Sequence, residues 1–117
     1  MSDSEVNKFG HIGVQPTGSL ADTAKLLGEV LGGLAFVEDD RRRYDEYPAY
    51  IAERSGLRYA LLGVPAPEDD LREDPSDDFE LLIEPVTSQR GASKVDVSDE
   101  IIKHIQSDGR LTCWALT

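Results

Sequence analysis

Residues 57–84 read LRYALLGVPAPEDDLREDPSDDFELLIE, and this stretch decides the fold of the chain. Apolar residues alternate with polar or small ones from Leu57 to Val64 and again from Phe79 to Ile83, which is the period of a β-strand with one buried face. A proline follows each segment, at Pro65 and at Pro85. The sequence therefore predicts two strands joined by a long charged connection.

The acidic segment, residues 68–80, joins these strands. It holds eight carboxylates against one arginine, a net charge of −7 out of −11 for the 117 residues of the chain. Like charges at this density repel one another and add nothing to the stability of a fold. Three interpretations remain open: a docking surface for a positively charged partner, a metal site, and a solvated loop without a partner.

The carboxylate spacing does not match a calcium loop. An EF-hand needs oxygen ligands at its first, third and fifth positions, a glycine at the sixth and a glutamate at the twelfth. A register that starts at Asp69 places Leu71 third and Asp74 sixth, and one that starts at Asp74 places Phe79 sixth. We therefore expect no metal and no cofactor, and docking is the preferred interpretation.

Two amphipathic helices are predicted. The first spans residues 20–31, with Ser19 as its N-cap, Asp22 in the capping-box position and the glycines at 32–33 ending it. Ser98 is predicted to cap the second helix, which ends before an Asp-Gly turn.

Shorter apolar segments predict further strands at 9–14, 34–37, 44–52 and 111–116, with 44–52 at an edge of the sheet. The order is β-α-β-β-β-β-α-β, which is typical of an α+β fold with a mainly antiparallel sheet and two helices. Residues 1–117 are expected to form one domain, with residues 1–8 frayed and residues 87–94 in a polar loop.

The charge balance bears on partners and location. A net charge of −11 works against nucleic acid and anionic membranes, and its field speeds the approach of a basic partner. The first five residues are polar, no apolar run is long enough to cross a bilayer, and one cysteine allows no internal disulfide. We expect a cytoplasmic protein that binds neither nucleic acid nor membrane.

No residue is predicted to be catalytic, so the chain is not expected to be an enzyme. His11 and His104 are the only histidines, and no serine or cysteine lies in a nucleophile elbow. Cys113 is predicted to be a buried, inert thiol. The alternative is a small-molecule-binding domain or enzyme, with a pocket between helix and sheet in which His11 or His104 takes part.

Tyr47 and Tyr50 flank Pro48 beside the charged residues 38–46. Aromatic residues within a charged rim are typical of binding hot spots. The predicted partner-binding residues are Asp69, Asp70, Glu73, Asp74, Asp77, Asp78, Tyr47 and Tyr50.

Part of the chain resembles a known family. This part of the sequence resembles small acidic immunity proteins. The resemblance rests on the capped helix, the strand and tyrosine-rich segment after it, the run Leu61–Pro65 and the strand start Asp78–Leu81. These proteins belong to bacterial contact-dependent growth inhibition and related polymorphic toxin systems, and the likeness covers about residues 17–86. The resemblance implies that the chain binds the C-terminal domain of a cognate toxin, often a basic nuclease. It implies no catalytic residue.

Overall fold

The computed structural model of the chain describes residues 6–39, 48–64, 78–86 and 93–116. These residues form two helices and a mostly antiparallel sheet of seven strands, which confirms the predicted α+β class and layout. The strand β6 is an addition to this layout, and its first two residues, Ser93 and Lys94, lie in the predicted polar loop. The elements in chain order are β1 (Val6–Val14), α1 (Leu20–Val30), β2 (Val37–Glu38), β3 (Ala49–Arg54), β4 (Leu57–Leu62), β5 (Phe79–Pro85), β6 (Ser93–Asp96), α2 (Ser98–Asp108) and β7 (Cys113–Ala115).

Strand β1 is the hub of the sheet, whose order is β2-β3-β4-β5-β1-β6. One edge of β1 pairs with β5 in antiparallel fashion. The other edge pairs first with β6, in parallel, and then with β7, which runs antiparallel. Residues 6–8, expected to be frayed, belong to β1 and pair with β6, whereas residues 1–5 lie outside the described residues.

Helix α1 begins and ends as its local sequence predicts. The Ser19 side chain accepts a hydrogen bond from the Asp22 N–H, and the Asp22 carboxylate accepts one from the Ser19 N–H, which completes the capping box. Gly32 and Gly33 follow the helix with φ angles of +86° and +92°, a conformation in which a side chain would be strained.

The predicted role of Ser98 as a helix cap is wrong. Ser98 is the first residue of α2, and its N-cap, Val97, makes no side-chain capping bond. The Ser98 hydroxyl instead accepts the His11 N–H at 2.9 Å, at the point of β1 that lies between the pairings with β6 and β7. The His11 N–H has no strand partner at this point, so the Ser98 hydroxyl satisfies this donor and does not cap the helix.

The sheet is buried along the face that meets the helices and, at β3 and β4, on the opposite face as well. The larger core lies between the sheet and the helices, and its fully buried members include Ile12, Leu27, Leu61, Leu81 and Ile105. A smaller cluster covers the opposite face of β3 and β4 and consists of Ala49, Ile51, Ala60 and Leu62, with Leu82 packed against it. Alternation along β4 and β5 therefore places every second residue against the helices.

The strand predicted at 34–37, the turn between β3 and β4 and the character of the helices complete the description of the fold. The strand predicted at 34–37 is shorter, since β2 begins only at Val37. Ser55 and Gly56, with φ angles of +52° and +78°, make the tight turn between β3 and β4. Neither α1 nor α2, the helices of the described residues, has the length and apolar character needed to cross a membrane.

Candidate functional site

The acidic segment is anchored at one end of the sheet. Strand β4 ends and β5 begins there, with Leu62 opposite Glu80 as the last pair. The connection between β2 and β3 leaves from the same end. There the Asp39 N–H donates to the Ala49 carbonyl, and the Gly63 N–H, which follows β4, donates to the Pro48 carbonyl at 2.7 Å. The described residues that border the two charged connections, 40–47 and 65–77, therefore lie at one end of the sheet. We call this the acidic end.

Most of the predicted partner-binding residues lie outside the described residues. This holds for Tyr47 and for the five carboxylates Asp69, Asp70, Glu73, Asp74 and Asp77. Of the predicted set, Asp78 and Tyr50 can be placed.

Asp78 and Tyr50 lie on opposite faces of the sheet. Tyr50 pairs with Leu61 and packs against the core under the helices. Asp78 lines a notch on the other face together with Glu80. The strand β4 separates the two residues, so the described structure does not bring them into one patch.

Glu80 is a carboxylate of the acidic end that contacts His11. Its Oε2 atom lies 3.1 Å from Nε2 of His11, and the two side chains are 38% and 42% exposed. Both residues project from the face opposite the helices, since their neighbours Ile12 and Leu81 fill the main core. The His11 side chain is therefore hydrogen-bonded to a carboxylate of the acidic end.

Gly13 and Trp114 complete this surface. Gly13 pairs with Glu80 on one side and with Trp114 on the other, so the three residues form one row across β5, β1 and β7. The indole covers Gly13: a Cβ atom there would overlap Nε1 and Cε2 and lie 2.8 Å from Cζ2. Only a glycine leaves room for the ring in this position.

These side chains line a notch of about 70 Å³ between the indole and the two carboxylates. Its lining residues are Gly13, Asp78, Phe79, Glu80, Trp114 and Leu116. The notch is open to solvent at the base of the acidic segment. We call it the Trp114 notch.

The arginines of the described residues bond to groups outside the notch. Arg54 donates to the carbonyls of Leu31 and Gly32 at the end of α1. Arg58 contacts Glu53 and Glu84 near the β3–β4 turn. The remaining one, Arg110, contacts Glu29 and Asp108, and its hydrogen bond to Asp108 holds the pKa of that carboxyl below its usual value.

A second depression lies between α1 and the edge of the sheet. It has a volume of about 450 Å³, and its lining includes Lys25, Glu29, Phe36 and Tyr50. Both histidines bond elsewhere: His104 contacts the Val30 carbonyl with Nε2 at 2.9 Å, and His11 contacts Glu80. Neither lines the groove, so this groove does not support a ligand site that uses a histidine.

The thiol of Cys113 belongs to the main core. Cys113 is buried, and burial raises the pKa of its thiol. No group of three or more histidine, cysteine or acidic side chains is arranged to hold a metal ion within residues 6–39, 48–64, 78–86 and 93–116.

Sequence analysis missed Trp114 and Gly13 as parts of the surface. A glycine inside a strand pattern was the available signal, since it often marks a close approach of other groups. The group that approaches Gly13 is Trp114, which lies about 100 positions away, and only the β1–β7 pairing identifies it.

No family model, no curated protein and no solved structure matches the chain.

Proposed function

We propose that the chain is a non-enzymatic immunity protein that binds and neutralises a cognate, basic toxin domain in the cytoplasm of the producing cell. The observation that carries the proposal is the acidic end: a segment of net charge −7 lies in sequence between the paired strands β4 and β5, and Asp78 and Glu80 line a notch at the start of β5.

Anchoring matters because a partner must meet the carboxylates at a defined place. The Leu62–Glu80 pair and the Gly63–Pro48 hydrogen bond fix the chain on both sides of the acidic segment. Both anchors are continuous with the buried core, which contains Leu61 and Leu81. A rigid base lowers the ordering cost of association.

The proposed mechanism is electrostatic. Opposite charges raise association rates above the roughly 10⁵–10⁶ M⁻¹s⁻¹ of neutral pairs and fix the register of the complex. A toxin that binds nucleic acid presents lysines and arginines to phosphates, and carboxylates on this segment would occupy the same cations. The chain would then block the nucleic-acid groove or its rim without any chemical step.

The direct test uses the full chain and the C-terminal domain of a large toxin encoded immediately before it. Binding is measured by calorimetry and stopped-flow mixing at several salt concentrations, and neutralisation by growth of cells that express the toxin domain. The variant carries amides at Asp69, Asp70, Glu73, Asp74, Asp77 and Asp78. Charge-assisted bonds contribute about 1.5–3 kcal/mol each before desolvation, so loss of two predicts an affinity at least about 100-fold lower.

A matched pair of variants separates a local effect from a change in net charge. One carries Asp74→Asn, Asp77→Asn and Asp78→Asn at the acidic end. The other carries Glu53→Gln at the β3–β4 turn with Asp99→Asn and Glu100→Gln in the first turn of α2. Each variant loses three charges. We expect only the first to bind weakly and to lose salt dependence; equal loss in both, or no binding by the unaltered chain, would refute the proposal.

A further inference from the structure

The Trp114 notch has features that the acidic segment alone does not explain. An aromatic ring lies across a glycine, and a carboxylate stands at the far side of the same row. The arrangement is set by strand register and not by loop conformation. It therefore presents one ring and at least one carboxylate at a fixed spacing to solvent.

We propose that the Trp114 notch binds an arginine side chain of the partner, an inference that rests on the proposed function for its biological setting. A planar guanidinium can stack on an indole and at the same time donate forked hydrogen bonds to a carboxylate. Trp114 supplies the ring, Glu80 supplies the carboxylate, and Asp78 adds negative charge to the wall. Lysine has neither the plane nor the fork, so arginine is the cation selected.

The size of the notch agrees with this ligand. It measures about 70 Å³, and by the same measure one water molecule needs about 10–15 Å³. The four non-hydrogen atoms of a guanidinium therefore fit. The Leu116 part of the wall suits the methylene stem of the side chain.

His11 is the group that the guanidinium would displace from Glu80. The His11–Glu80 contact is a single hydrogen bond of 3.1 Å between half-exposed side chains. A bidentate guanidinium makes two charge-assisted bonds to a carboxylate, which favours the exchange. His11 thus holds Glu80 in place before the partner arrives.

The single tryptophan of the chain makes the test direct, because all indole emission comes from the notch. The full chain is titrated in low salt with acetyl-Gly-Arg-Gly-amide, and Trp114 fluorescence is recorded. Peptides with citrulline, which is neutral and nearly isosteric, and with lysine replace the arginine peptide in parallel titrations. We expect a saturable change with arginine and at least about tenfold weaker binding of the other two.

Two variants on one strand face locate the effect. Glu80→Gln removes the charge of the notch, and Glu84→Gln removes a charge four residues along β5 that contacts Arg58 instead. Loss of binding in the first and retention in the second would support the inference. No saturable change, equal binding of citrulline or lysine, or equal behaviour of the two variants would overturn it.

The two proposals can fail separately. If the toxin domain binds and the acidic-segment variants abolish binding while Glu80→Gln has no effect on toxin or peptide, the notch inference falls and the immunity function stands. If the arginine peptide binds through Glu80 but no toxin domain is bound or neutralised, the notch stands and the immunity function falls.

Discussion

Replacing Gly13 with alanine should displace the indole of Trp114 and dismantle the notch. A Cβ atom at position 13 would overlap the ring, so the ring must move. A tryptophan buries about 150–250 Å² when fully packed, and exposing about half of this at ~25 cal/mol per Å² costs about 2.5 kcal/mol. Alanine in a strand returns about 0.5–1 kcal/mol relative to glycine. The net expectation is a free energy of unfolding lower by about 1.5–2 kcal/mol.

Urea denaturation gives the free energy of unfolding, and the emission spectrum of the native state reports the position of the ring. We expect emission at longer wavelength in Gly13→Ala, because the displaced indole meets water. Gly10→Ala is the matched control in the same strand: its Cβ would lie 3.1 Å from Ser98 Oγ and 3.2 Å from Ile83 Cδ1, away from the indole. An unchanged spectrum and stability in Gly13→Ala would refute the packing of Trp114 on Gly13.

Two further predictions concern the framework that holds the acidic end. Gly28→Ala should lower the free energy of unfolding by about 1–3 kcal/mol in chemical denaturation, because a Cβ would overlap the Leu34 carbonyl oxygen in the turn after α1; stability equal to the unaltered chain would contradict it. Hydrogen bonds from the side chain and backbone of Ser98 lower the pKa of Asp96. The ionised Asp96 therefore stabilises the fold above the ordinary carboxyl pKa of about 3.9, and this contribution is lost as pH falls through the lowered value. Asp96→Asn should therefore reduce stability at pH 6, and the difference from the unaltered chain should shrink as pH falls from about 4 through the lowered pKa; a difference that stays constant over this fall would argue against the assignment.

Local chemistry made the first helix predictable. The capping residues Ser19 and Asp22 and the glycines that end α1 act within a few positions of one another, so their roles can be derived from sequence. The strands β4 and β5 were equally accessible, because alternation records which face is buried.

Features that depend on contacts between residues far apart in sequence could not be predicted from local patterns. The role of Ser98 depends on a hydrogen bond to His11, 87 positions away, and the strand β6 exists because β1 offers it an edge. The notch likewise depends on Trp114 and Glu80 meeting across Gly13. Asp78 was predicted as a partner-binding residue from the sequence, and that prediction remains untested, whereas the ring beside it could not be found from local patterns.

Electrostatics at the acidic end would act on the rate of association as well as on affinity. Glu80 is already hydrogen-bonded to His11, so a guanidinium replaces one bond and does not satisfy an empty carboxylate. With 38% of the Glu80 side chain exposed, water screens the pair and limits the gain of the exchange. The field of the acidic segment extends about 10 Å at 0.1 M salt and draws in cations before contact. Binding energy must then come also from apolar contact around the notch, which is the part that Trp114 provides.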